Sequence, residues 1–140
     1  MTNTILMGVG RTLLGIYFLL PGVMKFAAWD MHVASMAATD IPSPELMLPI
    51  AGAAQIIAGI LLILGSYVRI SALGCAVLVI VINLMMHDFW NMDELRAPRE
   101  TQNFVKNLGI FAGLLVLASV SKPRAISVKG FWKRDSKVID

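Results

Sequence analysis

Residues 46–64 read LMLPIAGAAQIIAGILLIL, nineteen consecutive residues without a charge. Coiled into an α-helix at about 1.5 Å per residue, the stretch is about 28 Å long, close to the roughly 30 Å of a bilayer's hydrocarbon core. A segment of that length and character is a membrane span. Working outward, three more runs have the same cast: about Thr4 to Phe26, Ile70 to His87 and Phe104 to Val120. The expected fold is therefore all-α, an integral membrane four-helix bundle filling residues 1–120. A basic tail follows over 121–140.

The composition agrees. Of 140 residues 57% are hydrophobic and 15% are charged, where a soluble domain carries about a quarter charged residues. The spans consume nearly the whole chain and leave no room for a separate soluble catalytic domain. Cys75 is the single cysteine and lies inside a span, so an internal disulfide and a CxxC redox centre are excluded. The first run has no basic region before its apolar stretch and carries Arg11 within it. That is the reverse of a signal peptide's layout, so retention of the first span is expected.

Charge sets the expected orientation. Six of the twelve basic residues, Lys122, Arg124, Lys129, Lys133, Arg134 and Lys137, follow Ser121, and Arg69 sits in the turn after the second span. The first loop holds Asp30, Asp40 and Glu45, and residues 88–103 are net acidic. Both termini are thus expected in the cytoplasm of a multi-pass inner (plasma) membrane protein, with the acidic loops outside. Trp29 and Trp90 fall at the outer interface and Tyr67 and Trp132 at the inner one, as an aromatic belt requires. Anionic lipid head groups, not nucleic acid, are the expected partner of the basic excess. The tail's Ile126, Val128, Phe131 and Trp132 suit a segment lying on the membrane surface as well as they suit a free tail.

Helices in lipid associate through small residues and polar side chains. Gly8, Gly15 and Gly22 recur every seven residues, as do Gly52 and Gly59, and Gly109 and Gly113 form a GxxxG. Each set makes one stripe and marks an expected helix contact. Arg11 and Lys25 share the first stripe, Gln55 the second, and Lys106 the last, while Asn83 and His87 are one turn apart on the third span. Sorted by depth, Lys25, His87, Asp88, Gln102, Asn103, Lys106 and Asn107 gather near the outer face, with Gln55 and Asn83 somewhat deeper and Arg11 toward the inner side.

Ionisable groups within spans are costly and are paired or functional. One account has the lysines snorkelling to phosphates and His87 and Asp88 closing a helix end. The other is a small pocket formed by Lys25, Gln55, His87, Asp88 and Lys106, suited to a quinone head group or an anionic substrate, with Phe89 or Trp90 for stacking. Two histidines, His32 and His87, at unlike places argue against a bundle haem. The methionines near them are ordinary apolar filler as readily as copper ligands, and no metal site is expected. No tightly bound cofactor is expected either, so a redox group arrives as substrate or with a partner.

Arg11, Gly15, Phe18, Gly22 and Lys25-Phe26, then Gly52 to Gly65 with Arg69, then Lys106-Asn107-Leu108, Gly109 and Gly113-Leu114-Leu115 together resemble the DoxX family of small four-span membrane proteins over about Gly8 to Val120. The family includes the small subunit of a thiosulfate:quinone oxidoreductase. The resemblance implies a subunit of a quinone-linked redox assembly, with other membrane subunits or a second copy as partners, and at most an accessory part in catalysis. A structural or assembly subunit is the alternative. Where the family often has a glutamate in the second span this chain has Gln55, which removes an ionisable group and leaves hydrogen bonding.

Overall fold

The computed structural model describes residues 2–123, so the tail's proposed surface-lying segment is outside the described residues. Five α-helices and one short 3-10 turn follow one another: α1 Thr2–Ala27, α2 Trp29–Ala37, α3 Pro44–Leu64, α4 Val68–Met86, the 3-10 turn Phe89–Asn91, and α5 Ala97–Val120. Four of them, α1, α3, α4 and α5, are long and apolar enough to cross a membrane. Among the described residues, all regular structure is helical.

Two elements depart from the sequence reading. α5 begins at Ala97 rather than Phe104, because hydropathy marks the lipid-facing stretch and not the helix that carries it. Its first two turns are polar but helix-competent. Pro98 sits in the opening turn, where its missing N–H costs nothing. Just upstream, Asp93 Oδ1 accepts the N–H groups of Leu95 (3.1 Å) and Arg96 (2.9 Å), turning the chain into the helix. The second departure is α2, where a plain loop was expected. Trp29, Val33 and Met36 recur at helical spacing, and this stripe packs on Ile41, Leu48 and Met86 to form a small satellite core at the loop end of the bundle.

Glycine decides how α1 meets α3. A Cβ placed on Gly59 would lie 2.7 Å from the Gly15 carbonyl oxygen, and one on Gly15 2.8 Å from that of Gly59. Farther along, Gly22 abuts Gln55 and Ile56, and Gly52 abuts the Phe26 ring. Gly15 meeting Gly59 and Gly22 meeting Gly52 is an antiparallel register, and the two backbones touch with no side chain between them. In lipid, such close approach supplies the dispersion energy that hydrophobic burial supplies in water.

The same rule fails on α5. A Cβ on Gly109 or Gly113 would meet nothing within 4 Å, and the same holds for Gly8. The expectation that every glycine stripe marks a helix contact is corrected there: the α5 stripe faces open space. α5 packs instead on α4, through Leu114, Leu117 and Ala118 against Ala72, Cys75, Ala76 and Val79, with Phe18 of α1 and Leu62 of α3 closing the same core. Across the bundle's remaining seam, α1 and α5 meet only sparsely.

At the opposite end, α3 turns into α4 in three residues. Gly65 takes φ +72°, and the Ser66 and Gly65 N–H groups donate back to the Leu61 (2.9 Å) and Leu62 (3.2 Å) carbonyls, a glycine-capped helix terminus. The Arg11 guanidinium lies against Gly65. This places the deep arginine beside the carbonyl end of α3, where a helix dipole favours a cation.

Candidate functional site

The sparse α1–α5 seam leaves a groove of about 730 Å³, lined by Leu14 and Tyr17 of α1, His87 at the end of α4, and Asn103, Lys106, Asn107, Gly109, Ile110 and Gly113 of α5. From Asn103 to Gly113 is ten helical residues, about 15 Å. The groove therefore runs from the loop end toward the middle of the bundle. Its upper part is polar, and its lower part, Leu14, Ile110 and Gly113, is apolar. Two bare glycines form part of one wall, which is why the groove is open at all.

A chain of side-chain amides sets the wall's shape. Asn83, 1% exposed within α4, donates from Nδ2 to the Phe104 carbonyl (3.1 Å) and accepts from Asn107 Nδ2 at Oδ1 (2.9 Å). Asn107 in turn accepts the Tyr17 hydroxyl at Oδ1 (3.3 Å). Buried amides held on both sides keep their geometry, because leaving either partner unmade costs about 1–3 kcal/mol. The chain ties α4 to α5 and reaches across to α1 at one point, beside the groove.

His87 is oriented by a second cluster. Its Nδ1 lies 2.7 Å from Glu100 Oε2, and Asn103 Nδ2 donates to the same oxygen at 3.0 Å. An ionised carboxylate only accepts, so Nδ1 carries the proton and Nε2 is the ring's second functional atom. Lys106 is exposed in the groove and makes no hydrogen bond or ion pair with the described residues. Above the groove's mouth, Phe89, Trp90 and Phe104 pack edge to face with ring centroids 5.2 to 5.8 Å apart, capping the loop end.

Of the five residues singled out from the sequence, the fold brings His87 and Lys106 to one groove. Gln55 is elsewhere: it is 5% exposed, packed against Gly22 at the α1–α3 seam, and its Oε1 has no hydrogen-bond partner among the described residues. Lys25 lies in the last turn of α1 and is not among the groove's residues. Asp88 accepts from Asn91 Nδ2 (2.9 Å) at the start of the 3-10 turn. Glu100 and Tyr17 are members of the site that sequence does not single out, and Asn103 and Asn107, placed by depth near the outer face, join His87 and Lys106 at the groove. Glu100, Asn103 and Asn107 follow a 3, 4 spacing on one helical face, a signal legible only once α5 is known to begin before Glu100.

Chemically, the groove offers a mobile ammonium, an oriented imidazole, amide groups and a phenol at its upper end, over an apolar slot. That is a receptacle for an amphiphile whose head bears acceptor oxygens and whose body is apolar.

A family model described as DoxX matches residues 6–88, which take in α1 through α4. The inner membrane protein YphA of Escherichia coli (strain K12) is 29% identical over 124 residues, covering 89% of this chain and 88% of that protein. No solved structure matches the chain.

Proposed function

The chain belongs to the DoxX family, and on that premise we propose that it is the membrane subunit of a quinone-linked redox assembly, receiving a quinone head group in the α1–α5 groove. The observation that carries this reading is the groove's gradient, with Lys106, His87, Asn103 and Asn107 above Leu14, Ile110 and Gly113. A quinone needs donors at its carbonyl oxygens and an apolar slot for its tail, in that order along the membrane normal. Lys106 supplies a positive charge whose attraction to the ring's oxygens would strengthen as reduction places negative charge on them, and Glu100 acts as a positioning residue by holding His87.

The E. coli relative is named an inner membrane protein, which supports the same location here. The positive-inside bias supports cytoplasmic termini and a groove whose polar end faces outward. Partner subunits, or a second copy, complete the assembly in this reading and supply its redox group. The competing reading, a structural or assembly subunit without a ligand, calls for an interior filled by side chains with no cavity reaching the polar cluster; a groove lined by His87 and Lys106 supports the ligand-binding reading.

The test is a titration of the detergent-purified full chain with a short-tailed ubiquinone, read by quenching of tryptophan fluorescence. Saturable quenching is expected, weakened at least tenfold in Lys106→Ala and in His87→Ala and by a smaller factor in Glu100→Gln. Quenching that does not saturate, or that is unchanged in both alanine variants, overturns the assignment.

A further inference from the structure

At the other end of the bundle, two features adjoin that the groove does not explain. The first is a small pocket of about 170 Å³ where Arg69 and Lys122 converge from α4 and from the residues after α5, with Tyr67, Ile70 and Leu73 completing its wall. The second is an apolar groove of about 440 Å³ between α3 and α4. Tyr67 and Ile70 line both, so the basic pocket and the apolar groove share a wall. We propose that together they bind one anionic phospholipid, its phosphate between Arg69 and Lys122 and one acyl chain laid along the α3–α4 groove.

Charge sets the head-group chemistry. Arg69 and Lys122 are both exposed, and neither makes a hydrogen bond or ion pair with the described residues. Arg69 stands in the first turn of α4, so the positive end of that helix's dipole adds to the two cations. An arginine fork with a lysine point charge beside it suits a phosphate diester better than a zwitterionic head whose own ammonium would be repelled.

Length sets the tail chemistry. The groove follows α4 from Tyr67 to Leu78, eleven residues or about 16 Å, and its floor is cut low by Ala54, Ala58 and Gly74. Half the hydrocarbon core is about 15 Å. A partner's transmembrane helix would need a trough through both leaflets, whereas this one stops where a single leaflet stops. A Cβ on Gly74 would meet nothing within 4 Å, so the floor is empty for want of a side chain. Ser71, in the groove's wall, keeps a buried hydroxyl with no protein partner.

The full chain in a neutral detergent is titrated with phosphatidylglycerol, with phosphatidylcholine and with inorganic phosphate, and bound lipid is counted by native mass spectrometry. One phosphatidylglycerol per chain is expected, held at least tenfold more tightly than phosphatidylcholine. Inorganic phosphate should compete weakly. Arg69→Gln/Lys122→Gln should lose at least tenfold in affinity, and Gly74→Leu, which fills the groove without touching either cation, should lose as much while the helical circular dichroism is kept. Lys129→Gln/Lys133→Gln, an equal change of charge within the basic tail, should stay within twofold of wild type. Equal binding of the two lipids, full competition by inorganic phosphate, an unaffected Gly74→Leu, or an equal loss in the tail control each overturns the proposal. The last outcome would assign lipid binding to residues 124–140.

Discussion

Replacing Gly59 by alanine inserts a methyl group where the Gly15 carbonyl oxygen is 2.7 Å away and the Leu19 nitrogen 2.8 Å. Both neighbours are backbone, so neither can swing aside, and ordinary van der Waals contact begins at 3.4 Å. The two helices must therefore part by about 0.7 Å. A gap of that size forfeits a quarter to a half of each atom pair's attraction, and a seam of about forty such pairs loses about 2 kcal/mol. Alanine returns about 1 kcal/mol through its better helix propensity, leaving Gly59→Ala less stable by about 1 kcal/mol. Gly113→Ala gains the same propensity with nothing within 4 Å to strike, so it should be more stable than wild type by up to about 1 kcal/mol. The assay is reversible unfolding in mixed micelles of dodecyl maltoside and sodium dodecyl sulfate, followed by far-ultraviolet circular dichroism, with both variants in parallel. The expected separation of about 2 kcal/mol between them is independent of the propensity scale. Equal stabilities would refute the backbone-to-backbone seam, and a Gly113→Ala loss as large as that of Gly59→Ala would refute the open face of α5.

Two further outcomes follow from the same contacts. Gly65→Ala combines an unfavourable φ of +72° with a Cβ that runs into the Arg11 guanidinium, so a loss of about 1–2 kcal/mol or more is expected in the same assay. Measured against Arg11→Ala alone, adding Gly65→Ala should then cost only the backbone strain, the steric part being gone. Asn83→Leu leaves the Phe104 carbonyl and the Asn107 amide without their buried partner, so about 1–3 kcal/mol should be lost. Hydrogen exchange of the α5 backbone near Phe104 should rise more than that of α3.

The four spans were legible because nineteen uncharged residues, and three runs like them, have one low-energy answer in a bilayer. Their glycine stripes were legible too, but only as requests for close contact. Gly15 and Gly59 find each other, whereas Gly109 and Gly113 find space, and nothing in the spacing separates the two cases. The difference lies in the order of helices around the bundle. That order also scattered the candidate site. Depth along each helix put Lys25, Gln55, His87 and Lys106 at neighbouring levels, but the stripe bearing Gly22 and the one bearing Gln55 are turned toward each other. His87 and Lys106 remain together because α4 and α5 are packed side by side. Glu100 was hidden differently: read as one charge in an acidic loop, it becomes the residue that holds His87 once the helix is seen to start at Ala97.

The α1–α5 groove opens along the side of the bundle, with the exposed Lys106, Gly109 and Gly113 of α5 on its rim. Under the proposed quinone-binding reading, a ligand would arrive by lateral diffusion in the bilayer, and the concentration that matters would be its mole fraction among the lipids. A compound that prefers lipid to water by about ten-thousandfold is enriched by that factor at the doorway, equivalent to about 5.5 kcal/mol of apparent affinity supplied by partitioning alone. Intrinsic affinity for the head group can then be weak, a few hydrogen bonds' worth, while occupancy stays high. On that reading, dissociation constants for this groove would scale with the amount of detergent or lipid present, and selectivity between two ligands of unequal tail length would reflect the membrane as much as Lys106 and His87.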